Sequence, residues 1–312
     1  MLAYLGGIFL GWALGTNDAA NVFGTAVSSR MLRWRMAAIL GAAFVVIGAV
    51  TQGTAGIKTL EALTPQSAQT ATITVFAAAF TVTLMTLLRL PISTSQAVVG
   101  SIIGVGIMQG SLNLAGTSKV VLCWLGTPVG GVLFYVIFHL LFQSLIRIFK
   151  PSMLVLDPLI RAGLVVFGCY GAYALGANNV ANVSAVFAAS GLLSPGMAAL
   201  LGGLSIAAGI ITLSKPVMLT VGRQIVEVSA FSALVVVLAE AATVHLYAFV
   251  GVPVSTSQAV VGGLIGISFL KGFQVVRWRT LSRVTLAWLA TPFIGGAFAM
   301  LLYLITHLEY SP

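Results

Sequence analysis

Apolar residues run along this chain in long unbroken blocks, without the half-polar stripes of surface helices. Ten blocks can be drawn, at residues 1–28, 36–56, 70–88, 91–110, 119–146, 160–189, 196–214, 228–250, 252–270 and 284–306. Most are close to the roughly 20 residues that a helix needs to cross a bilayer. The pattern predicts an all-α polytopic membrane protein, since a single apolar segment satisfies its own backbone in lipid only as a helix. The connections are short and hold most of the charge. Residues 1–14 have no basic stretch before them and lead into a polar motif, not a small-residue cleavage site. They read as the first membrane helix and not as a signal peptide.

Composition sharpens this picture. Charged residues are 7% of the 312, against about 25% in a soluble domain. Mean hydropathy is +1.08. A soluble globule and a large extramembrane domain are both excluded. The net charge of +9 needs no nucleic acid to explain it, because basic residues mark the cytoplasmic loops. Suppose all ten blocks cross and the loop with Arg30, Arg33 and Arg35 is cytoplasmic. The inner side then also receives Arg89, Arg147, Lys150, Arg161, Lys215, Arg223, Lys271, Arg277, Arg279 and Arg283, and the outer side only Lys58 and Lys119. Both termini fall outside, in a multi-pass protein of the cell membrane. A re-entrant segment would change this parity. Cys123 and Cys169 lie in apolar blocks without CxxC spacing and read as small buried hydrophobes.

The chain repeats itself. Gly15-Thr16-Asn17-Asp18-Ala19-Ala20-Asn21 returns 161 residues later as Gly176-Ala177-Asn178-Asn179-Val180-Ala181-Asn182. Pro91-Ile92-Ser93-Thr94-Ser95-Gln96 returns after 162 residues as Pro253-Val254-Ser255-Thr256-Ser257-Gln258. Trp124-Leu125-Gly126-Thr127-Pro128 returns after 164 as Trp288-Leu289-Ala290-Thr291-Pro292. Three motifs at nearly one offset divide the chain into halves, 1–157 and 158–312. Equivalent loops differ in charge: 30–35 is basic where 190–195 is not, and 271–283 is basic where 109–118 is not. Equivalent loops therefore face opposite sides, which makes the repeats inverted, a common plan of secondary transporters with broken helices at the midplane.

Both repeated motifs place polar groups at membrane depth, where they are costly. In Pro-x-Ser-Thr-Ser-Gln, proline ends one helix and serine can cap the next. Residues 93–96 and 255–258 thus read as breaks followed by new helices, whose N–H groups and dipoles suit an anion. Ser93, Thr94, Ser95, Ser255, Thr256 and Ser257 are the candidate anion ligands. Two helix N-termini approaching from opposite sides fit a tetrahedral oxyanion, and neither motif contains Lys or Arg. In the Asn motifs, Asn17 and Asn21, and likewise Asn178 and Asn182, share a helix face. Gly15 and Gly176 permit a break there. Amide oxygens, freed carbonyls and Asp18 would then ligate an alkali cation, with Gln96 and Gln258 as further candidates. Glu240, in an apolar block, is a candidate coupling site for a cation or proton, or a partner of Arg223 or Lys215. His139, His245 and His307 show no metal spacing, and the pairs Gly130-Gly131 and Gly295-Gly296 suit close helix packing. Neither a nucleotide-binding loop nor a nucleophile–base constellation is present, so no enzyme and no resident cofactor are expected.

At these residues the sequence resembles the inorganic phosphate transporter family of sodium- or proton-coupled symporters. The run from Gly15 through Asn21 to Thr25, its weaker copy at Gly176, and both Pro-x-Ser-Thr copies carry the resemblance, which spans nearly the whole chain. It implies an inverted-repeat fold, phosphate held between the Ser-Thr motifs, sodium ions at Asn-rich breaks, and a homodimer. Two departures stand out. The family commonly has Asp in both Asn motifs, whereas the second here has Asn179; many members have His where Gln96 and Gln258 stand. Hydrogen phosphate carries a proton and gains from an acceptor, whereas sulfate needs donors only. The expectation is therefore a sodium-coupled importer of phosphate. The alternatives are a sulfate permease of the same family, proton coupling, or a passive anion channel.

Overall fold

The computed structural model describes residues 2–28, 30–87, 92–224, 229–272 and 278–308. Among them are eleven helices and no strand: α1 (Leu2–Ser28), α2 (Trp34–Gln52), α3 (Thr54–Glu61), α4 (Ala68–Leu87), α5 (Thr94–Gln109), α6 (Leu114–Phe149), α7 (Met153–Ala189), α8 (Pro195–Gln224), α9 (Ala230–Val250), α10 (Thr256–Lys271) and α11 (Trp278–Leu308). Arg89, Pro91 and Arg277 lie outside the described residues, as do the side chains of Arg223 and Lys271.

Among the described residues, seven helices are long and apolar enough to cross a membrane: α2, α4, α6, α7, α8, α9 and α11. Helix α1 has 27 residues, but the polar run at 16–21 interrupts its apolar sequence. Helices α5 and α10 have 16 residues each, about 24 Å of helix against about 30 Å of hydrocarbon. The blocks at 91–110 and 252–270 thus hold a short helix behind a linker. That linker is hidden in the hydropathy pattern because Ile92, Val252 and Val254 are themselves apolar. The short helix α3 is absent from the sequence expectation, since the block at 36–56 runs on across Gly53.

Helix packing comes in exchanged pairs. Helix α1 lies along α8 and α2 along α7; α5 lies along α11 and α6 along α10. Glycines permit the closest approaches. A Cβ on Gly15 would stand 1.9 Å from the Ile206 carbonyl oxygen, and one on Gly176 2.0 Å from that of Val45. Val45 and Ile206 are separated by the same 161 residues as Gly15 and Gly176. In the same way, a Cβ on Gly100 would meet the Pro292 carbonyl at 2.2 Å, and one on Gly262 the Pro128 carbonyl at 2.2 Å. Gly131 and Gly295 sit against the carbonyls of Ala259 and Ala97, the close packing expected of the glycine pairs.

These contacts correct one expectation. The helices do not break at Gly15 or Gly176: α1 is continuous from Leu2 to Ser28 and α7 from Met153 to Ala189. Glycine serves there to admit a neighbouring backbone, so it offers no freed carbonyls at the Asn motifs. Cys123 and Cys169 are free thiols, the latter buried.

Candidate ion-binding site

The breaks are real at the Ser-Thr motifs. Ser93 is extended (φ −110°, ψ 108°) and its Oγ accepts the Gln96 N–H at 3.3 Å. Ser255 is extended likewise (φ −89°, ψ 118°) and accepts the Gln258 N–H at 3.4 Å. The two serine carbonyls take the N–H groups of Ala97 and Ala259. Among the described residues, this leaves the first-turn N–H groups of Thr94, Ser95, Thr256 and Ser257 for a ligand. The capping predicted from sequence is therefore present in both copies.

The two N-termini meet. The Ser95 hydroxyl reaches the Val254 carbonyl, just ahead of the cap of α10, at 3.0 Å. Bonds between the halves then tie each Ser-Thr motif to the Asn motif of the other half. Asn21 Nδ2 donates to Thr256 Oγ1 at 3.0 Å and to Ser257 Oγ at 3.1 Å. Asn182 Nδ2 donates to Ser95 Oγ at 2.9 Å. Asn21–Ser257 and Asn182–Ser95 are the same contact with the halves exchanged. Asp18, beside Asn17 on the same helix, is buried. Asn178 pins the linker before α10, donating to the Val252 carbonyl at 2.9 Å and accepting the Val254 N–H at 2.8 Å.

Asn17 behaves differently. It is half-buried and its amide bonds back to Ala13 in its own helix at 3.0 Å. Asn179, which the sequence left without a role, is structural: its Oδ1 accepts from Ser95 and from Asn182, both at 3.1 Å. Its place beside Asn178, opposite Asp18 in the repeat, was the available signal. Thr94, Gln96 and Gln258 are buried at the same motifs.

Asp18 is the one acid in this cluster, and among the described residues no Lys or Arg bonds to either motif. Neutral oxygens are in surplus. Gln96 Oε1, Gln258 Oε1 and Asn182 Oδ1 are buried without a partner. Hard oxygen ligands of this kind, with one carboxylate, suit an alkali cation. The histidines take other parts. His245 bonds Gln52 at 2.7 Å and Tyr170 at 2.9 Å, and His139 bonds Tyr135 at 3.1 Å. Among the described residues no group of three His, Cys, Asp or Glu side chains could hold a metal.

Glu240 stands on α9. It is fully buried and neither carboxylate oxygen has a partner. It faces Gly171 of α7, where an added Cβ would lie 3.3 Å from Oε2 and 3.0 Å from Val22 of α1. Lys215 does not pair with it; that ammonium sits 5.8 Å from the centre of the Trp34 ring. A buried carboxylate so placed calls for a cation or a proton.

The sequence model of the phosphate transporter family matches this chain twice, over residues 14–157 and 152–299. The chain belongs to the phosphate transporter family. Among similar members, the protein named "Putative phosphate permease MJ0630" of Methanocaldococcus jannaschii is 30% identical over 92% of this chain and 91% of its own length. The sulfate permease CysP of Bacillus subtilis is 29% identical over 97% of this chain and 86% of its own. A solved structure of a sodium-dependent phosphate transporter superposes with a TM-score of 0.85 over 98% of each chain, at 23% identity. That likeness shows the fold. A phosphate transporter family member with these apolar helices is a multi-pass membrane protein.

Proposed function

We propose that this family member imports inorganic phosphate across the cell membrane in symport with sodium. One observation carries the reading: two capped helix N-termini meet, and the Asn motif of each half holds the Ser-Thr motif of the other. The anion would sit between the N-termini, on backbone N–H groups and the hydroxyls of Thr94 and Thr256, with Ser93, Ser95, Ser255 and Ser257 framing it. Sodium would bind at Asp18 and the amide oxygens of the Asn motifs, with Gln96 and Gln258 alongside. Cation charge would then offset anion charge without any arginine. The same cross-half bonds would let occupancy of both sites bias a rocking motion of two inverted repeats, 1–157 and 158–312. The exchanged glycine contacts support two repeats, and the basic loops at 30–35 and 271–283 support their inversion.

Sulfate is the second reading. Asn179 stands where an acid is common, which leaves Asp18 as the only carboxylate in the repeated motifs to accept the proton of hydrogen phosphate, and the Bacillus relative is a sulfate permease by name. Uptake of radiolabelled phosphate and sulfate into liposomes, with and without an inward sodium gradient, separates these readings. Sodium-driven accumulation of phosphate above sulfate is expected. Sulfate preference moves the second reading ahead, and equilibration without accumulation for either anion makes the protein a channel.

A further inference from the structure

Helices α5 and α11 run side by side in the same direction. Gly100 meets Pro292 and, one turn on, Gly104 meets Gly296. One turn back from the first contact, on the same faces, stand Gln96 and Trp288. Helices α10 and α6 repeat the first of these contacts: Gly262 meets Pro128, with Gly266 against the Tyr135 side chain further on, and one turn back stand Gln258 and Trp124. All four side chains are buried, to 5% exposure for each glutamine, 6% for Trp124 and 7% for Trp288. The indole N–H of each tryptophan and the amide oxygen of each glutamine have no partner. Helical spacing thus sets an unpartnered donor and an unpartnered acceptor each one turn before the same helix contact, twice, with each glutamine in its Ser-Thr motif. Unsatisfied buried groups are destabilising, and those kept in a fold call for a reason. A buried donor and a buried acceptor, each without a partner, are suited to ions of opposite sign.

We propose that Trp124 and Trp288 are further anion ligands: each indole N–H donates to the tetrahedral oxyanion, while the glutamine oxygen beside it is left for the cation. Each half would thus seat an anion donor and a cation ligand side by side, bringing substrate and co-ion into contact. This rests on the anion site proposed above and adds to it two donors that the apolar Trp-Leu-x-Thr-Pro motif conceals.

The test uses the purified full chain. Trp288→Phe and Trp124→Phe keep the ring and remove the N–H. Each is expected to weaken phosphate binding about tenfold at saturating sodium, and to leave sodium affinity at saturating phosphate within about twofold. Loss of packing alone would move both affinities or neither. Where a variant fails to fold, the chain with Trp12, Trp34 and Trp278 replaced by Phe reports directly. Its remaining indole emission should shift on addition of inorganic phosphate in sodium, with the half-point of binding. Unchanged phosphate affinity in both variants, or an emission that phosphate leaves unmoved, overturns the proposal. Thr94→Val and Thr256→Val serve as the second arm. If they weaken phosphate binding and the tryptophan variants do not, only the tryptophan assignment falls. If they too leave it unchanged, the anion site itself falls.

Discussion

The two halves of the molecule pack alike and are charged differently. Gly15 against Ile206 and Gly176 against Val45 are one contact made twice, and so are Asn21–Ser257 and Asn182–Ser95. At the next position the halves part. In half two, Asn179 is neutral and its Oδ1 accepts from Ser95 and Asn182. In half one, Asp18 places a buried carboxylate at the matching position. The packing skeleton is a requirement of the fold, met equally on both sides. Within the Asn motifs, the charge stands on one side only. The co-transported cation should therefore depend on half one far more than on half two.

The largest effect that could break this comparison is at Asp18. Asp18→Asn keeps the shape and removes the charge. A charged interaction worth about 2–3 kcal/mol should lower sodium-driven uptake about 100-fold. Initial rates of phosphate uptake against sodium concentration measure it; a loss below threefold would mean the carboxylate is structural. Next comes the threonine pair. Thr256 accepts from Asn21 at 3.0 Å, whereas Thr94 has no matching bond from Asn182. Thr256→Val should weaken phosphate binding by about 2–3 kcal/mol and Thr94→Val by about 1 kcal/mol. Calorimetric titration gives both constants, and the reverse order would reassign the stronger donor to half one.

Packing should show the opposite symmetry. Gly15→Ala and Gly176→Ala each force a methyl into a backbone carbonyl that cannot swing aside, at about 1–3 kcal/mol. The two variants should lower the unfolding temperature in detergent by the same amount, and a clear inequality would show that the exchanged contacts are not equivalent in energy. The smallest effect is expected at Asn179. Asn179→Ala removes one partner of the Ser95 hydroxyl and leaves its bonds to Val254 and Asn182, so phosphate affinity should fall about threefold, while the sodium concentration for half-maximal uptake stays put. A sodium effect as large as that of Asp18→Asn would make the halves equal after all.

Much of this was legible in the residues. Offsets near 161 marked the glycine contacts that recur, and Pro-x-Ser-Thr foretold both breaks and both serine caps, because capping is local chemistry read within four residues. The Asn motifs were found, but their glycines were misread. A glycine that breaks a helix and one that admits a neighbouring carbonyl look the same in sequence; only Val45 and Ile206, distant in the chain, decide between them. Asn179 resembled a lost acid, and its bond to Ser95 spans 84 residues. The short α5 and α10 were masked by apolar linkers, and the unpartnered indoles of Trp124 and Trp288 by their apolar setting. What stayed hidden depended on partners far along the chain.

The central claim is that anion and cation bind in contact and stabilise each other. Binding linkage is reciprocal, so one coupling factor must appear in both directions. Isothermal titration of the purified protein measures phosphate affinity with sodium present or fully replaced by choline, and sodium affinity with and without phosphate, across about pH 5.5–8. The account predicts that sodium raises phosphate affinity, that phosphate raises sodium affinity by the same factor, and that Asp18→Asn abolishes both effects. Equal phosphate affinity in sodium and in choline throughout that range would contradict it.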